Sequence, residues 1–383
     1  MPLFVCSFWS IQFALDIFTE GRTRQRVSLF IFMLTATALY FGHCIFFIHS
    51  TNLIPFSDTI YCVANLAVYP LYFIYICELT TRREHTRSYW PFLLPASVAG
   101  FFVGLFYLLM SPEETELFIH NYLYNNERLF ETPLIGLQTF AHDTCKVLFA
   151  LILVPVIVYG LKNISRYENL LRCTYADIED KSLAAIHHML IFFVATSIIS
   201  FAANIIGRAF FDEQKWLLFI PSILFSVMLF TLGYIGHRQR FSIQNIEIDE
   251  KIADEVIEEE TNIAELRARI EQVVQSEQMF LQPNLKIVDL VKRLNTNRNY
   301  IYKAINLGKG VSFTEYINRM RIDYAKNLID KNTEMTLGEI AFQSGFSSNT
   351  SFYRNFKQLI GLGPKEYQNS MRNKKNRPDS QTV

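Results

Sequence analysis

The chain has 383 residues, half of them apolar, with 34 Phe and 19 Tyr, and with Lys and Arg (36) equal in number to Asp and Glu (36). The zero net charge hides a partition: residues 1–240 carry 16 basic and 17 acidic side chains, 241–265 carry one against nine, and 266–383 carry 19 against 10. An oily block, a short acidic connector and a basic block exclude a single soluble globule, and the length allows two or three domains.

A bilayer core about 30 Å thick needs about 20 mostly apolar helical residues. Six stretches meet this: Ser28–His49, Ile60–Leu79, Pro91–Met110, Gln138–Leu161, Ala184–Ile206 and Trp216–Gly236. A seventh, Pro2–Phe18, is shorter and contains Asp16; it lacks the basic start and small-residue cleavage site of a signal peptide and reads as a span. Twelve basic residues (Arg22, Arg24, Arg26; Arg82, Arg83, Arg87; Lys162, Arg166, Arg172, Lys181; Arg238, Arg240) then fall on one side of the membrane. Arg128, Arg208 and Lys215 fall on the other. The richer side is cytoplasmic by the positive-inside rule, which puts the N-terminus outside and the C-terminus inside. If the first segment lies flat, six spans remain and the C-terminus is still inside. All of this describes a polytopic bundle with lipid as its solvent and its C-terminus in the cytoplasm.

All six cysteines lie in the oily block, none in a C-x-x-C spacing, and no His/Cys run has metal-ligand spacing. Neither a disulfide framework, nor a metal site, nor a cofactor is expected. Polar groups inside spans are costly and often functional. His142, Asp143 and Lys146 stand near the outer end of the Gln138–Leu161 span, with Asp143 and Lys146 three apart and able to pair. Two readings fit them: a pocket for a small ligand entered from outside, or an ion pair at the interface. The outer loop 111–137, acidic and carrying Phe118, Tyr122, Tyr124 and Phe130, reads as a lid or as a solvated loop.

In the connector, 241–265, and just after it, Ile252, Val256, Ile263, Leu266, Ile270 and Val273 recur at helical spacings. They suggest a seam, and through it a short parallel coiled coil and a homodimer. From about Leu266 the pattern is helical throughout. Residues 285–305 and 335–356 look like copies: Leu290 matches Ile340, Val291 matches Ala341 and Asn295 matches Gly345, each fifty residues apart. Each copy reads as a helix, a tight turn and a second helix. Asn295 and Gly345 stand where the turn needs positive φ, and Asn297 and Ser347 are placed to cap the second helix. That is helix-turn-helix grammar, in which the second helix lies in the major groove of double-stranded DNA.

The run from Gly310 to Ile329, with Ile340-Ala341, Gly345-Phe346-Ser347, Phe352, Arg354, Phe356-Lys357, Gly361, Pro364 and Tyr367, resembles the signatures of the AraC family of bacterial transcription regulators. The resemblance covers residues 266–370 and leaves out the membrane block, as in membrane-anchored members of the family. It departs at Ile305, Ser351 and Gly363, where Phe, an aromatic, and Ser or Thr are usual. It implies an all-α DNA-binding domain of two helix-turn-helix units on one linking helix, 312–329, whose buried stripe reads as Phe313, Ile317, Met320, Tyr324 and Leu328.

The organisation read from the chain is a membrane domain over 1–240, an acidic helical linker over 241–265, a DNA-binding domain over 266–370 and a basic disordered tail over 371–383. The candidate base readers are Arg298, Asn299, Tyr302 and Lys303 in the first recognition helix, and Ser348, Asn349, Thr350 and Arg354 in the second. Tyr353 and Lys357 are expected on sugar or phosphate. The expected function is a one-component transcription regulator controlled by a small-molecule or protein signal. The alternative is a transporter or membrane sensor with an auxiliary helical domain. No Gly-rich nucleotide loop or acidic metal cluster suggests an enzyme.

Overall fold

A computed structural model describes the whole chain except residues 83–90, 129, 207–218, 240, 255–262, 332–333 and 376–383. The described residues are helical, with no strand; a single antiparallel bridge joins Tyr175 and Lys286. The chain divides into two compact units: Met1–Arg166 with Leu183–Ile243, and Tyr167–Ser182 with Gln244–Val383.

The first unit contains α1 (Pro2–Thr19), α2 (Arg24–Ile48), α3 (Ile54–Thr80), α4 (Leu94–Leu109), α5 (Pro112–Phe118), most of α6 (Pro133–Thr174), α7 (Ala184–Ile206) and α8 (Phe219–Arg238). Six described helices are long and apolar enough to cross a membrane, and α7 adds a further apolar run over Ala184–Ile199. Most of them bury only a quarter to a third of their apolar window, but α3 buries 78%. The reason is position: α2 and α4 both pack on α3. Small residues permit the close approach, since a Cβ on Gly100 of α4 would stand 2.1 Å from the Val63 side chain of α3. Asp16, the charge inside the first span, is buried and paired at 2.7 Å with His237 of α8.

The loop 111–137 is structured between its ends. Ser111 and Glu114 form a reciprocal cap on α5, and Ile119–Tyr124 continues as a π-turn. Phe118 and Tyr122 are buried rather than lipid-facing, while Phe130 is exposed.

The second unit contains the end of α6 from Tyr167, nearly all of α9 (Ile243–Asp254), α10 (Ile263–Ser276), α11 (Ile287–Leu294), α12 (Arg298–Lys309), α13 (Phe313–Asp330), α14 (Leu337–Gln343), α15 (Asn349–Ile360) and α16 (Pro364–Lys375). The segment Tyr167–Ser182, read from sequence as a loop of the membrane domain, is part of this unit.

Two apolar clusters build the second unit. The first gathers Leu266, Ile270 and Val274 of α10 with Leu290, Val291, Ile301, Phe313 and Ile317. The second gathers Ile322, Ala325 and Ile329 with Ile340, Phe346, Phe352, Phe356 and Tyr367. Helix α13 therefore serves both clusters with two different faces, and its stripe is not the straight one expected. Phe313 and Ile317 are buried on one side and Ile322, Ala325 and Ile329 on the other, while Met320, Tyr324 and Leu328 are only partly covered.

The expected connector seam is also revised. Leu266 and Ile270 are buried inside their own chain, so these two positions are not available to a coiled-coil partner. Val256 and the acidic run Glu258–Glu260 lie outside the described residues. At the C-terminus, α16 runs to Lys375 instead of giving way to disorder at 371, because Met371 continues the apolar stripe one turn after Tyr367 and packs on the second cluster. Arg377 lies outside the described residues.

Candidate nucleic-acid interface

Each copy folds as helix, turn, helix, with the local chemistry the turn requires. In the first, Asp289 accepts from the Lys286 backbone N–H at 2.8 Å to start α11. Asn295 turns the chain in the left-handed region (φ 48°), and the Asn297 side chain accepts from the Asn299 N–H at 2.7 Å to cap α12. In the second, Thr336 and Glu339 form a capping box on α14, and Gly345 turns the chain at φ 85°. The cap of α15 is Ser348, whose Oγ accepts from the Ser351 N–H at 3.1 Å. Sequence had assigned that cap to Ser347; the extra residue in the second turn moves the start of the helix along by one.

The departures from family pattern have local explanations. Ser351 is buried, and its carbonyl and hydroxyl both accept from the Asn355 side chain, which in turn accepts from Asn318 of α13. That polar chain ties the second recognition helix to the linking helix where an aromatic would pack. Gly363 donates its N–H to Glu366 at 2.8 Å, and Ile305 is 4% exposed in the first cluster.

Arg321 lies wholly buried on α13. It donates to the carbonyl oxygens of Phe280 and Gln282, both at 2.7 Å, and sits over the Phe346 ring. Burial pushes its guanidinium down to about 10, against the pull of Asp177.

Of the proposed DNA-facing groups, Asn299, Tyr302, Lys303, Asn349, Thr350, Tyr353, Arg354 and Lys357 are exposed. They lie on α12 and α15, the second helix of each copy. Arg298 and Ser348 are partly covered and already engaged. Arg298 donates to Thr174 Oγ1 at 2.7 Å, and Ser348 hydrogen-bonds Glu179.

Comparison with known proteins agrees with this geometry. Residues 290–370 match a family described as a helix-turn-helix domain. The C-terminal part of this chain is a helix-turn-helix domain of AraC type. The chain is similar to the Msm operon regulatory protein of Streptococcus mutans, 30% identical over 90 residues, which is 24% of this chain and 32% of that one. It is also similar to the TCP pilus virulence regulatory protein of Vibrio cholerae, 38% identical over 84 residues, covering 22% and 30%. An uncharacterized HTH-type transcriptional regulator of Staphylococcus aureus is 31% identical over 99 residues, covering 26% and 13%. The chain spans about a third or less of the length of these curated relatives. No solved structure matches it. These relatives are named as regulators.

The polar group of the first unit is arranged differently from its spacing in sequence. Asp143 and Lys146 do pair, at 3.4 Å, and both reach Tyr122: its hydroxyl donates to Asp143 at 2.8 Å and accepts from Lys146 at 3.1 Å. Arg128 adds a second cation on Asp143 at 3.0 Å. His142 touches this network only through the Tyr122 ring. It is buried against Phe118 and Tyr122, and its Nε2 lies 2.7 Å from Asp58 Oδ2 on α3. Asp58 also accepts from Tyr107 at 2.9 Å. The three residues read together from sequence are therefore two sites. Asp58, 84 residues from its partner, carried no signal beyond being a charge at the head of an apolar run.

Proposed function

We propose that this chain is a membrane-embedded, one-component transcription regulator that binds double-stranded DNA in sequence-specific fashion through both helix-turn-helix units. The supporting observation is the pairing of two such units on α13, with Asn299 and Lys303 on one recognition helix and Asn349 and Arg354 on the other, all exposed. Helix α13 has 18 residues, about 27 Å at 1.5 Å per residue. A rod of that length suits the roughly 34 Å repeat of successive major grooves on one face of DNA. Six helices apolar enough to span a bilayer, and the excess of basic residues on one set of loops, support anchoring in the cytoplasmic membrane with the C-terminus inside. The membrane unit then receives a signal, and coupling requires a ligand that prefers one of two states.

The test uses the full chain in lipid nanodiscs. Selection from random duplexes should enrich one motif with two half-elements about one helical turn apart, and footprinting should protect both. Binding that is equally weak to all duplexes at moderate salt would overturn the DNA-reading proposal. A C-terminal reporter active only outside the cytoplasm would overturn the placement.

A further inference from the structure

Asp58 and Cys62 lie one turn apart on α3, and His142 and Cys145 lie three residues apart on α6. All four are buried, at 4–7% exposure. One donor atom from each of Asp58, Cys62 and His142 lies within 4.8 Å of the other two.

His142 shows what the cluster demands. Its Nδ1 faces the Gln138 carbonyl oxygen at 2.9 Å, which can only accept, so Nδ1 carries a hydrogen. A neutral imidazole then has a bare lone pair at Nε2, which lies 2.7 Å from a carboxylate oxygen. Nε2 thus presents its lone pair beside the Asp58 carboxylate. The Nδ1–carbonyl contact is also the outer bond that orients a metal-ligating histidine. One turn before His142, Gln138 Oε1 is buried with no partner.

We propose that Asp58, Cys62 and His142 form a site for a divalent transition-metal ion of the zinc or cobalt kind. His142 Nε2, an Asp58 carboxylate oxygen and the Cys62 sulfur are the ligands. Mixed nitrogen, oxygen and sulfur donors suit such borderline ions. The charge balances: one doubly charged ion meets the Asp58 carboxylate and the Cys62 thiolate, whose proton leaves. The occupied site is neutral, which a low-dielectric interior requires. At metal bond lengths of about 2.0–2.3 Å the ligand atoms stand roughly 3.3–3.8 Å apart, so the widest pair closes by about 1 Å. A narrow cleft lined by His43, Ser57, Asp58 and Tyr61 adjoins the cluster.

The test is cobalt binding by the full chain in nanodiscs, followed by elemental analysis and absorption spectroscopy. The expected result is one ion per chain with a thiolate-to-cobalt charge-transfer band. Cys62→Ser should abolish the band and weaken binding by about tenfold or more. Cys44→Ser, at an exposed cysteine elsewhere, should change neither. Zinc should raise the melting temperature of the native chain and not that of Cys62→Ser, so a merely misfolded variant is recognised. Absence of stoichiometric binding, or a band that survives in Cys62→Ser, overturns the site.

A separate set of contacts, within the second unit, carries a second proposal. The segment Arg172–Lys181 lies on the helix-turn-helix domain. Ala176 is wholly buried in the first cluster and donates its N–H to the Leu285 carbonyl at 3.0 Å. Thr314 of α13 donates to the carbonyl oxygens of Arg172 and Tyr175. From this anchorage Thr174 takes up Arg298, Asp177 takes up Ser347 and Glu179 takes up Ser348. Both carboxylates thus sit at the N-terminus of α15, where a DNA phosphate would otherwise find free N–H groups.

We infer that this segment is an autoinhibitory strap that competes with DNA. The inference rests on the DNA-binding reading above. It also follows the chain: α6, which carries His142 and Cys145, ends at Thr174, directly on the strap. Asp177→Asn with Glu179→Gln in the full chain should bind the selected duplex about tenfold more tightly than the native chain. Amides 172–181 of the native chain should exchange faster when DNA is added. Sequence preference with unchanged affinity and unchanged exchange overturns the strap alone. Absence of sequence preference in both proteins overturns the DNA reading instead.

Discussion

Arg321 donates its Nε hydrogen to the Phe280 carbonyl oxygen at 2.7 Å across forty-one residues of sequence. Its second fork reaches the Gln282 carbonyl at the same distance, beside the Leu285 N–H, so one buried guanidinium serves two carbonyls at the turn after α10. The linking helix is thereby locked to the first helix-turn-helix unit at the point where it passes from one core cluster to the other. Arg321→Ala should destabilise the second unit by about 3 kcal/mol, because the buried Phe280 carbonyl loses the guanidinium donor and the Gln282 carbonyl keeps only the Leu285 N–H. The measurement is hydrogen exchange of α11 and α13 in the full chain; protection equal to that of the native protein would show that water replaces the guanidinium without cost.

The two glycines that close the second copy should respond differently to the same change. Gly345 has φ 85°, and a Cβ there would stand 2.7 Å from the Phe280 oxygen and 2.8 Å from Leu281 backbone atoms. Gly361 has φ 82° but open space around it. Gly361→Ala should therefore cost about 1 kcal/mol, the backbone strain alone. Gly345→Ala should cost several times more, because backbone cannot give way as a side chain can. Thermal melts of the two variants compare them directly.

Base reading and phosphate contact separate by salt and sequence. Lys303→Ala and Asn349→Ala should each relax preference at one base position, with about 1–3 kcal/mol of discrimination lost there. Lys357→Ala should weaken binding to all sequences alike and reduce the slope of log affinity against log salt by about one. Competition binding against single-base variants at two salt concentrations distinguishes the patterns. A uniform loss in both Lys303→Ala and Asn349→Ala would mean that these side chains touch only backbone.

The start of α14 should be acid-sensitive. The Thr336 backbone N–H and its hydroxyl hold the Glu339 carboxyl below its ordinary value. A carboxyl depressed in the folded state stabilises above its unfolded pKa, near 4.3, and loses that contribution as pH falls through the lower folded value. Protection of the α14 amides should therefore decline below about pH 4 in the native chain, and Glu339→Gln should flatten that decline. A steep decline retained in the variant would assign it to other carboxylates.

Much of this was legible in the chain because it is local. Apolar runs of bilayer length, the fifty-residue repeat, and the residues that take left-handed backbone at Asn295 and Gly345 all depend on neighbours a few positions away. The Asp143–Lys146 pair was legible for the same reason, one helical turn setting its distance. The cap at Ser348 was missed by one residue, since a turn with an extra residue shifts the helix start and no period marks it.

What the sequence alone determined is therefore the kind of each element and the identity of the helix-turn-helix domain: helical periodicity and turn chemistry act over a few residues and can be read there. Only the tertiary structure decided that His142 turns to Asp58 and not to Asp143, that Leu266 and Ile270 are spent inside their own chain, and that Asp177 and Glu179 lie on the second recognition helix. Each of those depends on which face of one helix meets a residue tens to hundreds of positions away. Spacing along a chain gives the faces of a helix but not their partners, because burial and charge pairing are settled between elements when they pack.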